Sequence, residues 1–159
     1  MTSYLLAGPG EEPVTRAEAK AWCRIDGDAE DALVEALIAA ARLHVESATG
    51  RALIEQSWRL VLECPKGRLV PLPVVPALAL VVAPDGVVLQ GDAVLLADPV
   101  ETLSIDYTAG YGAAADVPQD LKQAVLTLVA YWFEYRDTTG DTTPAGFERL
   151  IAGYRRVRL

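Results

Sequence analysis

The stretch Tyr107–Arg136, YTAGYGAAADVPQDLKQAVLTLVAYWFEYR, decides how this chain is read. It begins as the end of a strand, passes through a glycine turn at Gly110–Gly112, and continues as a long helix. Val117-Pro118 sets the helix start. Proline is pre-organised for the first helical position and lacks only an N–H that would be unpaired there anyway. Gln119, Asp120, Gln123, Thr127 and Glu134 fall on one side of the helix. Leu121, Ala124, Val125, Leu128, Val129, Tyr131, Trp132, Phe133 and Tyr135 share the rest. At 100° per residue the apolar arc spans roughly 220°, about twice the stripe a surface helix needs for its own core. Such a helix is either central in its domain or shared with another subunit. Leu121, Val125, Leu128, Val129, Trp132 and Phe133 are the expected packing residues, with Trp132 and Val129 buried within the subunit.

Working outward, Asp137–Thr143 reads as a polar loop, and Pro144 opens a final short helix to about Ala152. Upstream, Thr15 and Glu18 have the spacing of a capping box, in which hydroxyl and carboxylate each satisfy a free backbone N–H. A short helix follows to about Ile25 and breaks at Gly27. Asp28 is placed to cap a second helix, Ala29–Thr49, which Gly50 stops. Residues 1–13 read as irregular. Between the helices lie short strand candidates: Trp58–Leu62, Leu69–Leu72, Leu78–Val82, Val87–Leu89, Ala93–Leu96 and Leu103–Thr108. Prolines and the pairs Asp85-Gly86 and Gly91-Asp92 punctuate them. The proline density suggests edge strands and bends rather than a deep central sheet. The expected fold is therefore α+β: a small helical bundle of three main helices plus a short C-terminal helix, with a small antiparallel β region inserted at about 57–108. The body runs over residues 1–143 and a tail over 144–159.

Composition narrows the function. A chain of 159 residues is one ordinary domain, long enough to bury a core. Hydrophobic residues make up 52% and mean hydropathy is +0.22, so apolar surface is expected to be covered by partners. No apolar run approaches a membrane span, and the N-terminus lacks the basic start and apolar stretch of a signal peptide. Cys23 and Cys64 suggest no disulfide framework and are expected reduced and packed, as in a cytosolic protein. Net charge is −8. Residues 144–159 carry Arg149, Arg155, Arg156 and Arg158 against Glu148, a net +3, which leaves −11 for the other 143 residues. An acidic body argues against a nucleic-acid-binding surface there, because such affinity comes mainly from phosphate neutralisation. The arginine tail is interleaved with Phe147, Leu150, Ile151, Tyr154, Val157 and Leu159, which a merely solvated terminus does not need.

The residues that could carry catalysis do not form a working arrangement. The only histidine, His44, falls on the apolar face of the second helix and reads as a packed imidazole. No cysteine or second histidine stands at ligand spacing from it, so no zinc site is expected. Asp26-Gly27-Asp28-Ala29-Glu30-Asp31 looks superficially like a calcium loop, but its glycine is second rather than sixth and helix capping explains the run. Gly110-Tyr111-Gly112 with Ala115 has some likeness to a dinucleotide fingerprint, yet Pro118 delays the helix and no repeated βαβ pattern surrounds it. The cluster Tyr131, Trp132, Phe133, Tyr135 could stack bases, but its helical spacing in an acidic chain favours core and interface. No cofactor and no metal are expected.

The run Tyr107–Glu134 resembles the head–tail connector (adaptor) family of long-tailed phages and related gene transfer agents. The resemblance continues in VTRAEAKAWCRID (Val14–Asp26), in ATGRALIEQSWRL (Ala48–Leu60) and in the arginine-ended tail, with Pro65–Pro99 matching least. It rests on the order and spacing of these segments rather than on any single motif. It implies a structural protein, not an enzyme, made in the bacterial cytoplasm and located in the neck of a virion or phage-like particle. Copies would form a ring, commonly of twelve, extending the portal channel and docking a stopper or other tail-side neck protein. DNA would pass through the lumen without sequence-specific binding. Phe147, Leu150, Ile151, Tyr154, Arg155, Arg156, Val157, Arg158 and Leu159 would bind the portal. Two other readings remain at this stage: another neck component, such as a stopper or tail-completion protein, and a small nucleotide-binding α+β enzyme using the Gly110–Gly112 turn.

Overall fold

Strand β7 (Thr102–Ala109) alternates cleanly, burying Leu103, Ile105, Tyr107 and Ala109 and turning Thr102, Ser104, Asp106 and Thr108 the other way. That period of two is the pattern of a strand with one covered face, and a sheet is built around it. The computed structural model describes residues 1–135 and 143–155. β7 lies between β2 (Gln56–Glu63) and β4 (Ala77–Val82), and β1 (Thr2–Ala7) pairs with the far side of β2. All three pairings are antiparallel, giving a four-stranded sheet in the order β1-β2-β7-β4. A second antiparallel sheet joins β3 (Leu69–Pro71), β6 (Ala93–Leu96) and β5 (Val87–Gln90). Leu60, Leu103, Ile105 and Tyr107 from the first sheet share one buried cluster with Val70, Val94 and Leu96 from the second, and with Leu72 and Val75 between strands. The Tyr107 hydroxyl is inside that cluster and accepts a hydrogen bond from the Val74 N–H at 3.3 Å. On the opposite face, Arg59 and Asp106 are directly cross-strand and form a two-pronged ion pair at 2.6 and 2.7 Å. Arg59 thereby holds the Asp106 carboxyl below its ordinary pKa. Residues 1–10 and 50–113 make up this compact unit.

The second unit comprises Glu11–Thr49 and the chain from Ala114 onward. It contains α1 (Arg16–Cys23), α2 (Asp31–Thr49), α3 (Gln119–Glu134) and α4 (Phe147–Ile151). Helix α3 packs against α1, α2 and α4. Val34, Ile38, Ala41 and Val45 of α2 and Leu121, Ala124, Val125, Leu128 and Val129 of α3 are fully buried. Arg42, at 8% exposure, is stabilised there by Glu12 at 2.8 Å and Glu46 at 2.9 Å. The capping box is present. The Glu18 N–H donates to Thr15 Oγ1 at 3.2 Å, and the Thr15 N–H donates to the Glu18 carboxylate at 2.6 Å. The bond from the Thr15 N–H, with that from its hydroxyl, holds the Glu18 pKa below its usual value. Thr15→Ala should lower stability by about 1 kcal/mol at neutral pH. Because the folded-state pKa of Glu18 is depressed, its contribution is complete above the ordinary carboxylate range. It is lost as pH falls through the lowered value. Thermal unfolding of both chains between pH 7 and pH 2 should show the difference shrinking at the acid end.

The expectation of a helical bundle with a small β insertion is corrected. The described chain is 36% helix and 28% strand, with seven strands in two antiparallel sheets and four α-helices. Two features misled the sequence reading. Residues 2–7 form β1, but as an edge strand exposed on both sides its TSYLLA carries no burial alternation to reveal it. The proline density argues against a substantial sheet, yet Pro71 ends β3, Pro76 precedes β4 and Pro84 follows it, so none interrupts a strand interior. The helix ends also differ. α1 stops at Arg24, whose φ of 56° is left-handed. α2 begins at Asp31, two residues after the expected start.

Candidate interaction surfaces

Helix α3 resolves the excess of apolar surface read from the sequence: three neighbouring helices of its own chain surround it. Of the six expected packing residues, Leu121, Val125, Leu128 and Val129 are fully enclosed, and Trp132 and Phe133 are partly exposed. The half-open surface is thus confined to the last turns, where the rings of Tyr131 and Tyr135 lie tilted against each other, centroids 5.0 Å apart. His44 of α2 sits edge-on to Trp132 at 5.8 Å and against Phe147 at 5.4 Å, an imidazole packed between two aromatic rings.

The expected portal-binding residues separate into three groups. Phe147 and Ile151 are fully buried on the inner face of α4. Leu150 and Tyr154 are half-buried, and Arg155 is exposed and paired with Glu148 at 2.5 Å. Arg156, Val157, Arg158 and Leu159 lie outside the described residues. The inner face of α4 therefore belongs to the chain's own core. Of the expected portal-binding residues that are described, Leu150, Tyr154 and Arg155 keep surface open to the outside, beside the exposed Glu148 and Arg149.

The glycine turn is structural. Gly110 has φ 135°, and a side chain there would collide with the Ile54 carbonyl. The Gly110 N–H donates to the Pro76 carbonyl at 2.8 Å, the Glu55 N–H to the Gly112 carbonyl at 3.0 Å, and the Tyr111 N–H to the Leu53 carbonyl at 3.3 Å. The backbone amides of Gly110 and Tyr111 are thereby committed within the protein instead of being presented to a phosphate. Gly110→Ala should destabilise the chain by about 2–4 kcal/mol, combining φ strain with overpacking against an immobile carbonyl. A chemical denaturation midpoint unchanged from wild type would contradict this account.

The acidic run before α2 is also occupied. Lys20 reaches Asp31 at 2.6 Å and Asp28 at 3.1 Å, and Arg16 reaches Glu35 at 2.8 Å and Asp31 at 3.3 Å. These bridges fasten α1 to the start of α2. Among the described residues no group of three or more His, Cys, Asp or Glu side chains could hold a metal ion. Cys23 and Cys64 are free thiols, and partial burial raises the Cys23 pKa. No helix among the described residues is long and apolar enough to cross a membrane.

The sequence reading missed the surfaces at the ends of the four-stranded sheet. Tyr4, Leu5 and Leu6 on β1, and Leu78, Val81 and Val82 on β4, are exposed. A signal was available: residues 1–10 and 71–84 contain no Asp, Glu, Lys or Arg in a chain that is 23% charged.

Residues 15–83 match the model of the phage gp6-like head-tail connector protein family, and residues 73–148 that of the head completion protein family. Among solved structures, the chain is similar to a protein in the neck of an empty gene transfer agent (GTA) particle computed with C6 symmetry. That match has 26% identity and a TM-score of 0.84. It is also similar to a chain of the virion of a native GTA particle (26%, 0.85) and to one in the neck of a native GTA particle computed with C12 symmetry (27%, 0.75). Each likeness covers 100% of this chain and 97% of the other. No curated protein matches at significant similarity. The two matching family models and the neck structures agree on one role, a head–tail connector at the neck of a phage-like particle.

Proposed function

We propose that copies of this chain form a ring between the portal and the next neck or tail component, continuing the DNA channel without catalysing a reaction. The observation that carries this reading is the end-to-end likeness to chains from particle necks computed with C6 and C12 symmetry. A cyclic assembly needs two different surfaces on each copy, one meeting the other on its neighbour. The body, residues 1–143, supplies the ring. The tail, residues 144–159, docks on the portal through its outward side and its end, since Phe147 and Ile151 already fill the chain's own core. The tail's net positive charge suits an acidic or carbonyl-rich groove, where guanidinium groups make bidentate contacts. A net charge of −11 on the rest of each copy, multiplied around a ring, would keep DNA from adhering as it passes. The half-open end of α3, with Trp132 and Phe133, is a further surface for a neighbouring copy. A density map of the neck of the assembled particle tests the reading. It should contain a ring of this chain next to the portal. Finding the chain only on the tail side, as a single copy, would overturn it.

A further inference from the structure

We propose that neighbouring copies are joined strand to strand, the outer edge of β4 in one copy pairing antiparallel with the outer edge of β1 in the next. This rests on the ring reading above and adds its mechanism. An open sheet edge presents a row of backbone N–H and C=O groups, and proteins usually guard it with charged side chains. Here neither edge strand carries a charged side chain of its own, and among the described residues the one charged group at the β4 edge, Asp92, takes only the Ala77 N–H at the start of the strand. The β1 segment (1–10) and the β4 segment (71–84) carry no charged side chain. Both display apolar side chains: Tyr4 is 53% exposed and Val81 63%. Two uncharged, apolar edges on opposite sides of one sheet match each other without electrostatic conflict.

Strand direction supplies the second argument. The order β1-β2-β7-β4 with antiparallel pairing throughout makes β1 and β4 run in opposite directions. Placing an identically oriented copy beside the first therefore brings β4 against β1 antiparallel, continuing the pattern of the sheet. An odd number of strands would have forced a parallel junction. Pairing of β1 with β1 would instead close a two-fold dimer and stop. Register shifts within β1–β2 and β4–β7 bend the edge strands, and curvature is what a belt around an axis needs. The occupant of each edge is thus a second copy of this chain, bound by strand addition.

Amide hydrogen exchange on particle necks, compared with the free chain, tests this directly. Amides in residues 3–6 and 78–82 should exchange about tenfold or more slowly in the ring. Rings whose β1 and β4 amides exchange as in the free chain would overturn the strand junction and leave the ring reading standing. Necks containing this chain without a ring would remove both. A second test uses charge. Tyr4 lies cross-strand from Arg59, and Val82 from Asp106, so Tyr4→Glu and Val82→Lys each introduce a charge beside its opposite within the same chain and should fold. Each alone should reduce incorporation into particles about tenfold or more, by placing a charge in an apolar junction. Together in one chain they meet across the junction and should recover most of the loss. Full incorporation of both single variants would count against the proposal.

Discussion

Phe147→Ala should cost the folded chain about 3–5 kcal/mol, the range for an aromatic side chain removed from a core that cannot close around the gap. Phe147 is completely buried at the first turn of α4, and its ring lies against His44 of α2. Helix α4 has only five residues, too few to persist in water by its own hydrogen bonds. It is held by the burial of Phe147 and Ile151 beside α2 and α3. Guanidinium unfolding of the full chain measures the loss. A change below about 1 kcal/mol would mean that α4 is not part of the core, and its apolar face would again be free for the portal.

Deleting residues 153–159 should have the opposite profile: a folded body and a complete failure of head–tail joining. The deletion leaves Phe147 and Ile151 in place and removes Tyr154, Arg155 and the four residues beyond it, which include two more arginines. No fully buried described residue is lost, so stability should stay within about 1 kcal/mol of the full chain. Removing three guanidinium groups and two large apolar side chains, Val157 and Leu159, should abolish docking. Electron microscopy of particles made with the truncated chain should show filled heads without tails. Joined particles at normal yield would sink the docking proposal. The pair of experiments separates the two parts of this segment, one serving the core and one proposed to serve a partner.

Much of the local structure was legible because it rests on short-range physics. The capping box at Thr15 and Glu18 depends on three-residue spacing, and the start of α3 was legible to within one residue, with Pro118 as its N-cap rather than its first helical residue. The positions of β2 to β7 could be read from apolar runs between turn residues. The packed state of His44 could be read from its helix face. The tail was harder. Phe147, Leu150, Ile151 and Tyr154 share helical spacing, which says that one face is apolar but not whether its own chain or another covers it. Tertiary packing assigned Phe147 and Ile151 to the chain's own core.

The sequence by itself determined a chain of helices and short antiparallel strands, and the order and spacing of its segments pointed to the head–tail connectors. It did so because capping, turn chemistry and periodicity act within a few residues. Only the tertiary structure decided how much of the molecule is sheet, since pairing joins segments far apart in the chain. Residues 2–7 become β1 only because β2, more than fifty residues later, accepts them, and an edge exposed on both sides leaves no alternation in its sequence. Likewise, the apolar excess of α3 acquires its meaning from the three helices around it, whose positions no local pattern encodes.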